Sequence, residues 1–371
     1  MFTVGFVGWR GMVGSVLLKR MIEDGDFKNI NPNFFSTSQI LHTGPQLGKK
    51  KFILHDAFDI DALTAMDIIV SCHSSNYTNI VYKKLIKNKW KGYWLDASST
   101  LRMNNDAVIV LDPINSNLIY KYLDMGIKTF IGGNCIVSIM LMTLGGLFKA
   151  KIIDWINSIT YQAASGAGSQ YMRELINQMY NISNIFYNDF NSVDSKILDI
   201  DKKLNRVMYS GILQTKKINL PIAVSLLPWI DQQINNGQSR EEWKSNIETN
   251  KILGYLQNTI TIDGICVRIG TMRCHSQALI IKLRKNIPIN DIETIINEHN
   301  DWVNIVPNNK KASIEYLTPA SVSGNIKILI GRMRNLIIGD EYLTAFSVGD
   351  QLIWGAAEPI KRMLNIIINY I

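Results

Sequence analysis

The sequence predicts an α/β protein with two domains. One is a Rossmann-like, doubly wound domain over residues 1–133, completed by 356–371; the other is an α+β domain over 134–355 on a mostly antiparallel sheet. Three observations predict it. A short alternating strand at 3–7 runs straight into Gly8-Trp9-Arg10-Gly11-Met12-Val13-Gly14 and then into a segment with helical apolar spacing. Short apolar runs then alternate with helical segments as far as residue 131, the pattern of a mostly parallel sheet. Beyond Cys135 the segments lengthen and alternate residue by residue, and Gly and Pro no longer punctuate each strand.

In chain order, the first strand and its glycine run form the context in which G-x-x-G-x-x-G means dinucleotide binding. Gly8, Gly11 and Gly14 let a pyrophosphate approach the helix N-terminus, where backbone donors are free. Val16, Leu17 and Met21 mark the buried face of that helix. A second strand is expected at 32–35, ending in Ser36-Thr37-Ser38. An acid about 20 residues past the fingerprint would bond a ribose 2′-hydroxyl. Hydroxyls stand there instead, with Arg10 in the glycine loop, which suits a 2′-phosphate and so NADP; the other reading is a plain polar turn.

Further strands are expected at 67–72, 92–95, 108–111 and 129–131, with a helix at 77–89. The loops after them carry Ser71-Cys72-His73-Ser74 and Asp96-Ala97-Ser98-Ser99-Thr100-Leu101-Arg102, at the strand ends where such sheets bind ligands. In the second domain strands are expected at 152–161, 264–269, 277–283, 325–330 and 344–348, and helices at 170–180, 196–208, 290–299 and 359–371.

Composition narrows the classes. With 371 residues, 47% hydrophobic and 19% charged, the chain is globular and large enough for two cores. The uncharged interval between Lys128 and Lys149 is broken by five residues, Gly132, Gly133, Asn134, Gly145 and Gly146, so a buried helix is expected and no membrane span. No signal peptide is visible, and the cytoplasm is expected. The four cysteines lack metal-ligand spacing, so neither a metal site nor a disulfide framework is expected. The net charge of +8 is scattered, with Lys49-Lys50-Lys51 the longest run; this argues against nucleic acid and fits small phosphate or carboxylate ligands.

The stretch I-G-G-N-C-I-V-S-I-M-L-M places Cys135 at a helix N-terminus, where the dipole should let the thiol ionise below the ordinary value of about 8.5. A thiolate there is a nucleophile; the alternative is a buried structural cysteine. Further on, Arg268 and His275 are seven residues apart, so in one unbroken strand they would face opposite ways. A bulge or turn near Gly270 would let both face one site. Cys266 and Cys274 are expected in the core.

The strings G-F-V-G-W-R-G-M-V-G-S-V, F-F-S-T-S-Q, G-G-N-C-I-V-S, Y-Q-A-A-S-G, S-R-E-E-W-K, R-C-H-S-Q and S-V-G-D-Q-L-I-W-G-A-A-E-P span the chain, which resembles the bacterial aspartate-β-semialdehyde dehydrogenases. The resemblance implies a homodimer that uses NADPH to reduce L-aspartyl 4-phosphate to the semialdehyde through a cysteine thioester. The second domain would be catalytic and dimerising, and the product would feed lysine (through diaminopimelate), methionine and threonine synthesis. By matching motif, Cys135 resembles the nucleophile, His275 the acid/base catalyst, and Gln162 the residue that orients substrate. Arg268 resembles the carboxylate binder, Glu241 the amino-group contact, and Arg102 with Lys244 the phosphate site. His275 would help generate or hold the thiolate. Cofactor contacts are implied for Gly8, Arg10, Gly11, Met12, Val13, Gly14, Thr37, Ser38, Ser165, Gly166 and Gln351, and for His73, which stands where relatives carry Gln; Ala167 is a second departure. The nearest alternative is the N-acetylglutamyl phosphate reductase of the same superfamily, against which E-E-W-K and R-C-H-S-Q argue. A silent NADP- or nucleic-acid-binding protein is favoured only by the pI of about 9.1.

Overall fold

The computed structural model describes residues 1–191, 195–213, 215, 220–256 and 259–370. The first half runs β1 (Phe2–Val7), α1 (Met12–Glu23), β2 (Ile30–Ser36), β3 (Thr43–Leu47), β4 (Lys50–Ile53), β5 (His55–Asp56), α2 (Ile60–Thr64), β6 (Ile68–Ser71), α3 (Ser75–Lys87), β7 (Tyr93–Asp96), β8 (Ala107–Val110), α4 (Asp112–Asp124) and β9 (Thr129–Gly132). Seven of these strands form a parallel sheet in the order β5-β2-β1-β6-β7-β9-β8. The order turns back between β1 and β6, which is where doubly wound sheets bind ligands. All four residues of β6 are buried, because helices cover both faces of the sheet. The expected strands lie within two residues of the observed ones. The antiparallel hairpin β3–β4, the helix α2 and the helix α4 were not expected.

The second half runs α5 (Cys135–Lys149), β10 (Ile153–Gln162), α6 (Ser169–Asn191), α7 (Ile197–Tyr209), β11 (Leu226–Leu227), α8 (Arg240–Ile252), β12 (Thr261–Ile269), β13 (His275–Leu283), α9 (Ile289–Asn297), β14 (Val303–Ile305), α10 (Lys310–Tyr316), α11 (Pro319–Val322), β15 (Ile328–Leu336), β16 (Gly339–Gly349), a π-helical turn at Ile353–Ala357 and α12 (Glu358–Tyr370). Its sheet has the order β11-β12-β10-β13-β16-β15-β14. The pairs β11–β12, β10–β13, β13–β16 and β15–β16 are antiparallel, while β10–β12 and β14–β15 are parallel, so the sheet is mixed with antiparallel pairing dominant.

The helix α5 is buried from Ile136 to Phe148 and packs with Ile156, Leu279, Ile330 and Leu343 in one core. Each such side chain removed from water contributes about 1.5–3 kcal/mol, so the uncharged interval is the hub of the second core and no membrane segment. No described helix is long and apolar enough to cross a membrane. The last helix returns to the first sheet, where Ile360, Met363, Leu364 and Ile367 join Val4, Phe6 and Leu17. Residue 371, the expected end of that helix, lies outside the described residues.

Candidate active site

The site begins with a helix cap. Asn134 sits in extended conformation, and its Oδ1 accepts from the N–H groups of Ile136 (2.9 Å) and Val137 (3.4 Å), so α5 starts at Cys135. The Asn134 side chain also donates to Glu241 Oε1 at 3.0 Å, and its backbone N–H donates to Glu248 Oε2 at 2.7 Å. On the other side Gly355, in the π-helical turn, comes so close that a Cβ there would lie 2.6 Å from Cys135 Cβ. Cys135 is thus held between two buried segments.

The expectation of an easily ionised thiol is overturned in the ligand-free chain. Burial pushes the Cys135 thiol up to about 12, and Glu241 adds to the rise; Arg102, Arg268 and the Ile136 N–H oppose it without winning. The residue as a whole keeps some exposure, while the surroundings of its thiol disfavour the anion.

Three strands bring Gln162, Arg268 and His275 together. Arg268 on β12 is the register partner of Gln162 on β10. On the other flank Tyr161 pairs with Ser276, which puts His275 opposite Gln162. Register partners share a sheet face, so all three project to one side. The connection is therefore a turn across the end of β10 and no bulge within one strand. That turn is zipped down by Ala164 N–H to Thr271 O (2.8 Å) and Ser165 N–H to Met272 O (3.1 Å), with Cys274 at φ 76°.

Arg268 Nη1 donates to Ala163 O at 2.7 Å, and the Ala163 N–H donates to His275 Nδ1 at 3.1 Å. Nδ1 is thereby an acceptor, which leaves the imidazole proton on Nε2. That Nε2 is buried and has no hydrogen-bond partner among the described residues. Burial, with help from Arg268, pushes His275 down to about 3, so the ring is neutral near pH 7. In this ligand-free arrangement His275 turns an N–H toward the site. Among the described residues Arg268 forms no ion pair; its guanidinium lies 5.9 Å from the Tyr171 ring, and burial lowers its affinity for the proton against the attraction of Glu241. Gly166 leaves room beside both groups, since a Cβ there would be 2.7 Å from Arg268 Nη1 and 3.1 Å from His275 Nε2.

The helix α8 supplies the remaining charges. Its start is fixed by a capping box between Ser239 and Glu242. Lys244 Nζ lies 2.7 Å from Asp231 Oδ2 and 3.0 Å from Glu241 Oε2. Burial works against both charges of the Glu241–Lys244 pair, yet each partner outweighs it, so Glu241 titrates below and Lys244 above its ordinary value. Gln162 Nε2 reaches Glu241 Oε1 at 3.5 Å. Arg102 is buried and donates to Gly132 O, Gly133 O and Glu248. Glu248 and Asp231 were missed in the sequence; Glu248 lies seven residues past Glu241, the helical spacing that could have found it.

A cavity of about 360 Å³ opens at the switch point, lined by Gly8, Arg10, Gly11, Thr37, Ser38 and His73 among others. Gly8 has φ +73°, and a Cβ there would sit 2.7 Å from the Cys72 carbonyl; at Gly14 it would sit 2.4 Å from Gly8 O. No side chain caps α1, so the amides of Met12 and Val13 in its first turn suit a pyrophosphate. Ser36 Oγ makes the polar turn by accepting from Ser38 and Gln39 N–H, while Thr37 and Ser38 are exposed to the cavity and Arg10 reaches Gln39. His73 rests against Tyr77, and burial lowers its pKa. Ser165 and Gln351 do not line this cavity; Gln351 bonds Ser165 Oγ and accepts from Cys274 N–H at 2.8 Å, beside His275.

A doubly wound dinucleotide-binding domain that leads into a second, mixed-sheet domain through a cysteine at the head of a helix is the arrangement of the two-domain semialdehyde dehydrogenases. Residues 3–122 match the semialdehyde dehydrogenase NAD binding domain, and residues 144–354 match the semialdehyde dehydrogenase dimerisation domain. The aspartate semialdehyde dehydrogenase from Francisella tularensis is 45% identical, covering 99% of this chain and 100% of that one, with a TM-score of 0.93. The chain belongs to the aspartate semialdehyde dehydrogenase family. Two remoter structures share the fold: aspartate semialdehyde dehydrogenase II from Vibrio cholerae complexed with ASA (22% identity, 100% and 98% coverage, TM-score 0.81) and the Candida albicans enzyme with NADP (14%, 100% and 100%, 0.66).

Proposed function

We propose that the chain reduces L-aspartyl 4-phosphate to L-aspartate 4-semialdehyde with NADPH through a thioester on Cys135, in the cytoplasm, feeding lysine (by way of diaminopimelate), methionine and threonine synthesis. One observation carries the reading: around Cys135 the charges complement such a substrate, with Arg268 for the α-carboxylate, Glu241 for the ammonium, and Arg102 with Lys244 for the phosphate. NADP is the preferred cofactor in this reading, on Arg10, Thr37 and Ser38 at the switch-point cavity and the family member with NADP.

The chemistry follows from the side chains. Burial is the larger of the two effects that hold the thiol protonated and Glu241 the smaller; a substrate ammonium at Glu241 cancels the second, and the thiol proton leaves to solvent as the thiolate attacks. The sulfur attacks the acyl carbon, the bond to the phosphate oxygen breaks, and Arg102 and Lys244 receive the leaving group. NADPH, when bound, supplies the hydride that reduces the thioester. His275 Nε2–H donates a hydrogen bond to the acyl oxygen while it carries negative charge, and collapse of that alkoxide returns the electrons to sulfur. Gln162, held by Glu241, orients the substrate beside the thiol.

We also read the chain as dividing functionally into 1–133 with 356–371 and 134–355. A second copy covers the open face of the second sheet, where Trp155, Ile159, Tyr161 and Phe346 are half-buried and Ile265 is 51% exposed. The matched dimerisation domain supports that surface. Phosphate-dependent reduction of NADP by aspartate semialdehyde tests the activity. Reduction that ignores phosphate would reject it.

A further inference from the structure

We infer that Glu248 is the positioning residue of the cysteine loop and sets how tightly the site holds phosphate. The inference rests on the proposed role of Arg102 as a phosphate ligand. Glu248 is 2% exposed, and its two oxygens hold different groups: Oε1 accepts from Arg102 Nη1 at 3.1 Å, and Oε2 accepts from the Asn134 N–H at 2.7 Å. Arg102 Nε and Nη2 donate to the carbonyls of Gly132 (2.7 Å) and Gly133 (3.0 Å). Carboxylate, guanidinium and the 132–134 backbone thus close a ring immediately before Cys135. Lys251, on the same face of α8, holds Arg102 O and Asn104 O at 2.6 Å each, so the backbone of Arg102 is fixed as well.

Three of the five guanidinium N–H groups are used in the ring, which leaves one on each terminal nitrogen for a ligand. The ring also balances charge. Arg102 is compensated by Glu248, and Lys244 by Asp231 and Glu241. A phosphate therefore meets two oriented cations whose charge is already offset, a site suited to releasing its product. Replacing Glu248 by Gln uncovers Arg102. It also breaks the ring, because the amide oxygen accepts one of the two bonds and the NH₂ group faces a donor at the other.

The test uses NADP, aspartate semialdehyde and inorganic phosphate with Glu248→Gln, Glu248→Asp and Arg102→Gln. Glu248→Gln should lower the phosphate KM about tenfold, the size expected for removing one nearby negative charge in a partly screened site. Its kcat should fall as the 132–134 loop loses its anchor. Phosphate should protect Cys135 from iodoacetamide at correspondingly lower concentration. Glu248→Asp keeps the charge but is too short to span both partners, so kcat should fall with the phosphate KM near wild type. A purely structural role would lower Tm and leave the phosphate KM unchanged or raised in Glu248→Gln, and that result overturns the inference. If Glu248→Gln does not fold, Glu248→Asp decides, and intact kcat with an altered phosphate KM overturns the inference. Arg102→Gln separates the two readings: a raised phosphate KM there with none lowered in Glu248→Gln rejects only the role of Glu248. An unchanged phosphate KM in Arg102→Gln rejects the phosphate site itself.

Discussion

Arg268→Lys keeps the charge and changes the geometry, and the structure sets what that should cost. The guanidinium uses Nη1 to hold Ala163 O at 2.7 Å, and the same residue holds His275 through its N–H at 3.1 Å. With one edge anchored, the other presents parallel donors to a carboxylate. An ammonium on a flexible stem cannot hold Ala163 O and grip two carboxylate oxygens at once. A charged hydrogen bond is worth about 1.5–3 kcal/mol, so loss of one bond with some orientation lowers kcat/KM for aspartate semialdehyde by roughly one to three orders of magnitude. Burial supplies a second signature. The site disfavours a cation at 268, burial outweighing the attraction of Glu241, so a lysine there titrates below its ordinary value. It is charged at low pH and lost as pH rises through that lowered value, so the gap from wild type should widen with pH, whereas arginine stays charged throughout. Steady-state kcat/KM across the neutral to alkaline range measures both effects. A loss under threefold with no pH trend would refute the bidentate role, and an equal rise in the KM of NADP would show general disruption.

Three further outcomes are expected. Cys135→Ser should fold and bind NADP while losing nearly all turnover, whereas Cys266→Ser and Cys274→Ser, at 2% and 0% exposure, should cost mainly stability; wild-type turnover in Cys135→Ser contradicts the covalent route. Gly355→Ala puts a Cβ 2.6 Å from Cys135 Cβ, against backbone that cannot give, so it should cost about 1–3 kcal/mol of stability and a larger share of turnover than of NADP affinity; a fully active, fully stable variant refutes that packing. With the thiol pushed up to about 12, iodoacetamide alkylation of ligand-free enzyme at Cys135 should rise roughly tenfold per pH unit up to about pH 10, and a plateau below about pH 8 would show a thiol already ionised at rest.

What could be read from the sequence was what is decided locally. The strand, glycine turn and helix at residues 2–23 declare themselves because Gly8 and Gly14 stand where a side chain would strike backbone. The head of α5 was equally legible, since Asn134 caps it within three residues. Helix α4 was obscured by Asn115, which breaks the helical backbone near its start at φ −129°. The hairpin β3–β4 is short and largely solvent-facing, so it shows little apolar alternation. The meeting of Arg268 with His275 depends on β10 lying between their strands, a pairing with residues more than a hundred positions away. The thiol was misjudged for a related reason. The helix dipole is a local term, and it is outweighed by burial and by Glu241, which comes from a distant helix.

The central claim is a thioester on Cys135, and trapping it is the direct measurement. Enzyme mixed with NADP and aspartate semialdehyde without phosphate should form NADPH in a burst of one equivalent per site and then stop. Peptide mass spectrometry should find one aspartyl group on Cys135, discharged when inorganic phosphate is added. No burst, or an adduct on any other residue, would contradict the account.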